Sequence, residues 1–468
     1  MRIGFARYIR GVGACSVLMY LWLIPLTTFV FPWRTDHDIE RLTQLLVFVI
    51  TGVEFLVIQL TSGSEPGAGV QPRLAVFLAL LATFALISTA RAASVHSWME
   101  LALWCGLVLS ALSLAQAVAD DRVDEIVWGC VATGTTYALL MFGLCVTISL
   151  GGAPLLRTEL FPGYSNYRFY NHVQTVLIPL LAAVSLYRAL PRWASTFAYA
   201  ALAFNFSMLL FTAGRATWVG LSIAWLFVFL IAGHQARRWL QRMAYAAMIG
   251  VGLYALVFVA LPYLCGAPTD VSAADVAANT MSINRRFYLW KLALQDLCES
   301  PWFGIGPMQF AHRLNSEAAH PHNVALQIAA EWGAPMLILV VIGVVRGLLR
   351  MATALRHEQD VNEANIGAGL FAACIGLGVD SMFSGNFVMP ISATFIALAI
   401  GWSIAWTQQR MPDNDAKVLF LPRPLLVIVA FALLIIQLWL LLSVRVQIHD
   451  LDERLDAVRG NVILNDHI

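Results

Sequence analysis

Thirteen apolar stretches, each about long enough to cross a bilayer, run along this chain and leave little room for any fold but a helical membrane bundle. They lie near residues 13–31, 42–60, 73–90, 98–118, 123–150, 172–189, 194–212, 215–232, 243–263, 323–346, 365–386, 388–407 and 422–444. Lipid offers no water to a backbone N–H or C=O, so each stretch must satisfy its own hydrogen bonds as a helix. Composition agrees: of 468 residues 59% are hydrophobic and 12% charged, where a soluble domain carries about a quarter charged. The expected fold is all-α, a polytopic integral membrane protein with about 12–13 transmembrane helices and a helical outer loop. The boundaries near 212–215 and 386–388 are the hardest to draw.

Lys and Arg set the orientation. With the N-terminus inside, sixteen of them fall on the inner side and six (Arg34, Arg41, Arg91, Arg157, Arg168, Arg215) in short outer loops. That puts a polar island, residues 264–322, on the outer face. The first apolar stretch ends without a small-residue cleavage site and reads as a retained anchor. The chain divides into a first helix bundle (1–263), the island (264–322), a second helix group (323–446) and a tail (447–468).

A net charge of +1 says nothing about partners, and no nucleic acid is expected. No internal repeat is evident, so a repeat-built transporter gains no support. Five of the seven cysteines sit within apolar stretches, whereas Cys265 and Cys298 share the island, where a disulfide is open. In the island, Ser282 suits a helix cap and Pro301 a stop. Phe287, Trp290, Leu294 and Leu297 recur at helical spacing, giving an apolar face with Arg286 on the same side. The run Trp302-Phe303-Gly304-Ile305-Gly306-Pro307 lacks the pattern of a nucleotide loop.

Fixed cations and a titratable imidazole on one membrane face suit a lipid-linked phosphate substrate. Diphosphate leaves well once its growing charge meets planar guanidinium groups. Arg215 follows the small pair Ala213-Gly214, Arg286 rides the island helix, and Arg168 in Tyr167-Arg168-Phe169-Tyr170-Asn171-His172 is a third contact for phosphate or sugar. A neutral His322 can take the proton of an acceptor hydroxyl, while His320, before Pro321, shapes the turn. Asn323 opens the next helix, and Asp380 is a rare acid within an apolar run, placed to orient His322 or an arginine. Tyr170, Trp33, Trp302 and Trp332 can stack on sugar rings, or belong to the interfacial aromatic belt. Asp36-His37-Asp38 could hold a divalent cation, but the arginines already supply that positive charge, so neither metal nor cofactor is expected.

These residues resemble the O-antigen ligase and O-antigen polymerase superfamily. The likeness rests on Ala213-Gly214-Arg215, Arg286-x-x-x-Trp290, Ser300-Pro301-x-x-Gly304-x-Gly306 and His322-Asn323 followed by Glu331-x-Gly333, in this order after a late large outer loop. The resemblance implies a metal-independent inverting glycosyltransferase of the bacterial inner membrane with its site facing the periplasm. Its donor would be undecaprenyl-pyrophosphate-linked O-antigen and its acceptor a lipid A-core sugar, in lipopolysaccharide biosynthesis. Arg215 and Arg286 would hold the pyrophosphate, His322 would activate the acceptor, and Arg168, Tyr170, Trp290, Asn323 and Asp380 would bind substrate or support the site. A polymerase or protein O-oligosaccharyltransferase would share the donor, and a lipid-glycan transporter would need the cations without the base. The stretch at 422–444 departs from the family, since it exports the tail.

Overall fold

The computed structural model describes residues 10–30, 36–61, 69–157, 160–267, 273–313, 317–411, 419–420 and 422–465. They form helices α1 (Val12–Val30), α2 (Asp36–Thr61), α3 (Pro72–Arg91), α4 (Val95–Ala119), α5 (Val123–Leu150), α6 (Tyr167–Val184) and α7 (Arg192–Thr212). There follow α8 (Arg215–Ala232), α9 (Arg237–Tyr254, extended by a wider turn over Ala255–Ala260), α10 (Ala273–Glu299) and α11 (Val324–Trp332). The last four are α12 (Ala334–His357), α13 (Val361–Asp380), α14 (Pro390–Arg410) and α15 (Arg423–Asn465). Among the described residues ten helices are long and apolar enough to cross a membrane. The other three expected stretches are also helical. In α1 the apolar run Val12–Thr27 is shorter, and α6 and α13 carry more polar residues in the middle of the bundle, where most of their side chains are buried.

The two ends of the bundle keep the alternation that the charges imply. At one end Arg41 donates to the Val388 carbonyl at 2.8 Å and Ser97 to the Pro307 carbonyl at 2.6 Å. At the other, Gly69–Val70 pairs antiparallel with Leu419–Phe420, and Arg410 binds Glu358 and Glu363, each at 2.5 Å. The end carrying the island is called the outer end below.

Three helices meet at the centre through small residues. A Cβ on Gly220 of α8 would strike the Gly376 carbonyl of α13, and Gly376 in turn lies against Thr175 of α6. Such small residues let backbones approach where lipid supplies no hydrophobic drive. The consequence is positional: the N-termini of α6 and α8 and the C-terminus of α13 finish side by side at the outer end.

Three expectations need correction. The stretch 323–346 is not one span, because Gly333 at φ +90° separates α11 from α12, and a Cβ there would collide with the Trp302 carbonyl. Helix α10 begins at Ala273, so Ser282 lies inside it and not at its start. Its buried face is Leu289, Ala293 and Asp296, with Phe287 and Leu294 turned outward. The disulfide left open between Cys265 and Cys298 is not formed: both are free thiols.

Candidate active site

The outer ends of α6, α8 and α13 receive the island as a lid. Helix α10 is pinned by Asp296, which is buried and ion-paired with Arg313. The island's glycine-rich run docks on α11: Ile305 N–H donates to the Ala330 carbonyl at 2.8 Å and Gly306 N–H to the Glu331 carbonyl at 2.9 Å. Gly304, at φ +66°, lies so close to the Glu331 backbone that a Cβ would overlap it. The Glu331 carboxylate accepts from the Phe310 N–H at 3.3 Å; burial, then the charge of Glu100, pushes its pKa up to about 8. The two family-like motifs, Ser300-Pro301-x-x-Gly304-x-Gly306 and Glu331-x-Gly333, are thus one packed joint.

Above that joint the chain turns through His320-Pro321-His322-Asn323. Asn323 caps α11, its Oδ1 accepting from the Leu326 N–H at 3.0 Å while its Nδ2 donates to the Met382 carbonyl at 3.1 Å. Trp290 of α10 donates Nε1–H to the Pro321 carbonyl at 3.1 Å, so its indole braces the turn. His322 takes φ +53°, a left-handed conformation rare outside glycine. Backbone strain of this kind must be held in place by its surroundings. The two imidazoles of the turn lie 4.2 Å apart, centroid to centroid.

Arg286 faces inward from α10 toward Arg168 at the start of α6 and Arg215 at the start of α8. Burial first, then the like charges of Arg168 and Arg215, hold its guanidinium below the ordinary value, with Asp380 opposing. None of the three arginines has a carboxylate within ion-pair distance among the described residues. Neighbouring Arg285 does: it pairs with Glu317 at 3.1 Å. Three guanidiniums beside two helix N-termini favour negative charge there, through both the charges and the exposed N–H groups.

The imidazoles feel the same field. Burial, then the charge of His320, Arg286, His172 and Arg168, depresses His322 to about 3. Burial and His172 depress His320 to about 4. Both rings are neutral at pH 7. Gly385 sits directly under His320, where a Cβ would overlap Nε2.

Asp380 is buried at the end of α13. Its Oδ2 accepts from Ser384 Oγ at 3.0 Å and from Asn386 Nδ2 at 3.1 Å, and lies 3.4 Å from His172 Nδ1. The expected direct partners, His322 or an arginine, are therefore replaced by His172. His172 stands four residues after Arg168 on α6, one turn on the same face, and that spacing is the signal by which the sequence could have revealed it. Ser384, Gly385 and Asn386 carried no such signal.

The structure thus brings together Arg168, Arg215, Arg286, His322 and Asp380, with Trp290 and Asn323 as braces. Tyr170 is not among them: its ring is fully buried and its hydroxyl donates to Asn205 Oδ1 at 2.7 Å. Of the other stacking candidates, Trp332 is buried, Trp302 is exposed on the outer surface, and Trp33 lies outside the described residues. The Asp36 side chain also lies outside them, and no metal-binding group of His, Cys, Asp or Glu occurs among those described.

Residues 200–341 match the family model described as O-antigen ligase. The matched segment takes in Arg215, Arg286 and His322 together with both halves of the glycine joint. No curated protein matches the chain.

Proposed function

We propose, from the match of residues 200–341 to the family model described as O-antigen ligase, that the chain is a member of the O-antigen ligase superfamily and moves O-antigen glycan from undecaprenyl pyrophosphate to a sugar hydroxyl of lipid A-core. The reaction would take place at the periplasmic face of the bacterial inner membrane. The coarser activity, glycosyl transfer of the ligase or polymerase type, follows from the family. The observation that carries the finer reading is the convergence of Arg168, Arg215 and Arg286 on the turn that holds His322.

Each group has a role in the transfer. The bond from the anomeric carbon to the diphosphate oxygen breaks, and its electron pair leaves with the diphosphate. Arg215 and Arg286, aided by Arg168, meet that growing charge with preorganised N–H donors. The acceptor oxygen attacks from the opposite face, which inverts the anomeric centre. His322 takes the acceptor proton. In the free protein burial first, then His320 and the arginines, make His322 a weak base. A bound diphosphate cancels their field and strengthens the imidazole when both substrates are present. Asp380 and His172 act from behind as positioning residues, holding the imidazole group in register. Three guanidiniums supply the charge that a divalent cation would bring, which supports metal-independent transfer.

The test is reconstitution of the purified protein with undecaprenyl-pyrophosphate glycan and lipid A-core in EDTA, read as a mobility shift. A shifted lipid A-core band that His322→Ala abolishes is expected. Glycan lengthening on the carrier with unchanged lipid A-core would assign a polymerase instead. Movement of the lipid-linked glycan across a bilayer by the His322→Ala protein would assign a transporter.

A further inference from the structure

A cavity of about 240 Å³ opens at the outer end beside the arginine–histidine group, on the other side of the 385–388 strip. This strip is shared. Gly385 lies against His320, and Asn386 donates to Asp380, whereas Phe387 and Val388 line the cavity. The strip is tied down by Arg41, which donates to the Val388 carbonyl at 2.8 Å and to Gln44 Oε1 at 2.8 Å.

The lining is mixed in a particular way. Its outer part presents His37, Arg41, His96 and Glu100, and Trp104, which donates Nε1–H to Glu100 Oε1 at 3.0 Å. Its inner part is apolar: Phe48, Leu103 and Leu107, with Leu440 and Val444 of α15 as one wall. A phosphate headgroup would bring its charge against Glu100, and a cation would meet Arg41. An uncharged polyol satisfies both, because hydroxyls accept from guanidinium and donate to carboxylate. An indole next to a carboxylate also offers a sugar an apolar face and a polar edge. The volume admits a sugar ring. The apolar inner wall suits the lipid part of the same molecule.

We propose that this cavity seats one sugar ring of a membrane-anchored glycolipid, the acceptor, while a hydroxyl farther along that molecule reaches His322. The assignment rests on the transferase reading above and gives its second substrate a place. The 385–388 strip then separates anchor from chemistry: the ring in the cavity is held, and it is not the ring that reacts. Because Arg41 and Asn386 hold the two ends of one strip, filling the cavity also bears on how Asp380 and His320 are seated.

The experiment is direct binding to the full-length protein in nanodiscs, with lipid A-core as one probe and undecaprenyl pyrophosphate as the other. Leu103→Trp fills the cavity, and Glu100→Gln keeps its shape while removing the carboxylate. Both substitutions are expected to weaken lipid A-core binding about tenfold or more, the worth of one or two lost polar contacts with a ring's burial. Undecaprenyl pyrophosphate binding is expected to stay within about twofold of the parent. Unchanged lipid A-core binding in a Leu103→Trp protein that still binds undecaprenyl pyrophosphate overturns the assignment. So does equally weakened binding of phosphatidylglycerol, which would make the cavity a general lipid site. Should Leu103→Trp bind neither probe, Glu100→Gln decides by the same two readings. Binding is measured without turnover, so absence of transfer by the parent protein would undo the proposed function and leave this test standing.

Discussion

Asp380 Oδ2 lies 3.4 Å from His172 Nδ1, with Ser384 and Asn386 on the same oxygen. The buried acid of α13 therefore addresses the turn of His320 and His322 through an imidazole of α6. A carboxylate in a bundle interior needs polar partners, and here Ser384 and Asn386 flank Gly385, which lies against His320. If the pair positions the base, His172→Asn and Asp380→Asn should each lower kcat by roughly tenfold to a hundredfold, between the cost of a lost hydrogen bond and that of a lost base. Donor KM should change little. A His172→Asn enzyme with the parent kcat would show that the pair only stabilises the fold.

Substitution of His322 itself should cost more. His322→Ala is expected to reduce kcat by about 10²–10⁴-fold, the span of general-base contributions, with donor binding retained. Undecaprenyl pyrophosphate titration beside the transfer assay separates the two effects, and loss of donor binding would move His322 from proton transfer to substrate holding.

Arg215→Lys and Arg286→Lys keep a charge and lose the planar fork. If the fork meets the leaving diphosphate, each should lower kcat by about 10²-fold or more, as removal of one preorganised donor does. Arg285→Lys is the control, since Arg285 is already paired with Glu317. Equal losses in all three would mean that the island helix, and not the fork, had been disturbed.

The pH profile carries a sign. Both imidazoles titrate below the ordinary 6.5, His322 near about 3 and His320 near about 4, so neither charges as pH falls from 7 to 5. In kcat/KM, which reports the free enzyme, the acid limb from His322 should fall well below pH 6.5. In kcat, which reports the complex, it should lie higher, because bound diphosphate offsets Arg286 and Arg168 and stabilises the imidazolium. Steady-state profiles of both constants test this; an acid limb of kcat/KM at the ordinary histidine value would remove His322 as the base.

Gly333→Ala should unfold the joint before it touches chemistry. It puts a side chain at φ +90° and against the Trp302 carbonyl, where strain alone costs on the order of 1–3 kcal/mol. Thermal unfolding in detergent should show a lowered Tm, and an unchanged Tm would mean that the run 301–306 can shift to make room.

Much of this was legible because a bilayer imposes contiguous apolarity: each of the thirteen stretches contains a helix. The arginines were legible because they stand outside against the trend of basic residues inside. The break at Gly333 was not, since it depends on a carbonyl thirty-one residues earlier in sequence that only packing brings near. The face of α10 was misread because both sides of that helix carry large apolar residues, and sequence does not tell protein from membrane surface. Tyr170 was misplaced by proximity: two positions after Arg168 on a helix, it points elsewhere, while His172 at four positions shares the arginine's side.

If the three arginines hold the donor's diphosphate, they hold the spent carrier at least as strongly, because it keeps that diphosphate and adds the charge left by the broken bond. The bare carrier should therefore be a strong competitive inhibitor of its own replacement. On this reading turnover is paced by departure of the spent lipid, and membranes in which it accumulates should slow the enzyme without any change in the protein.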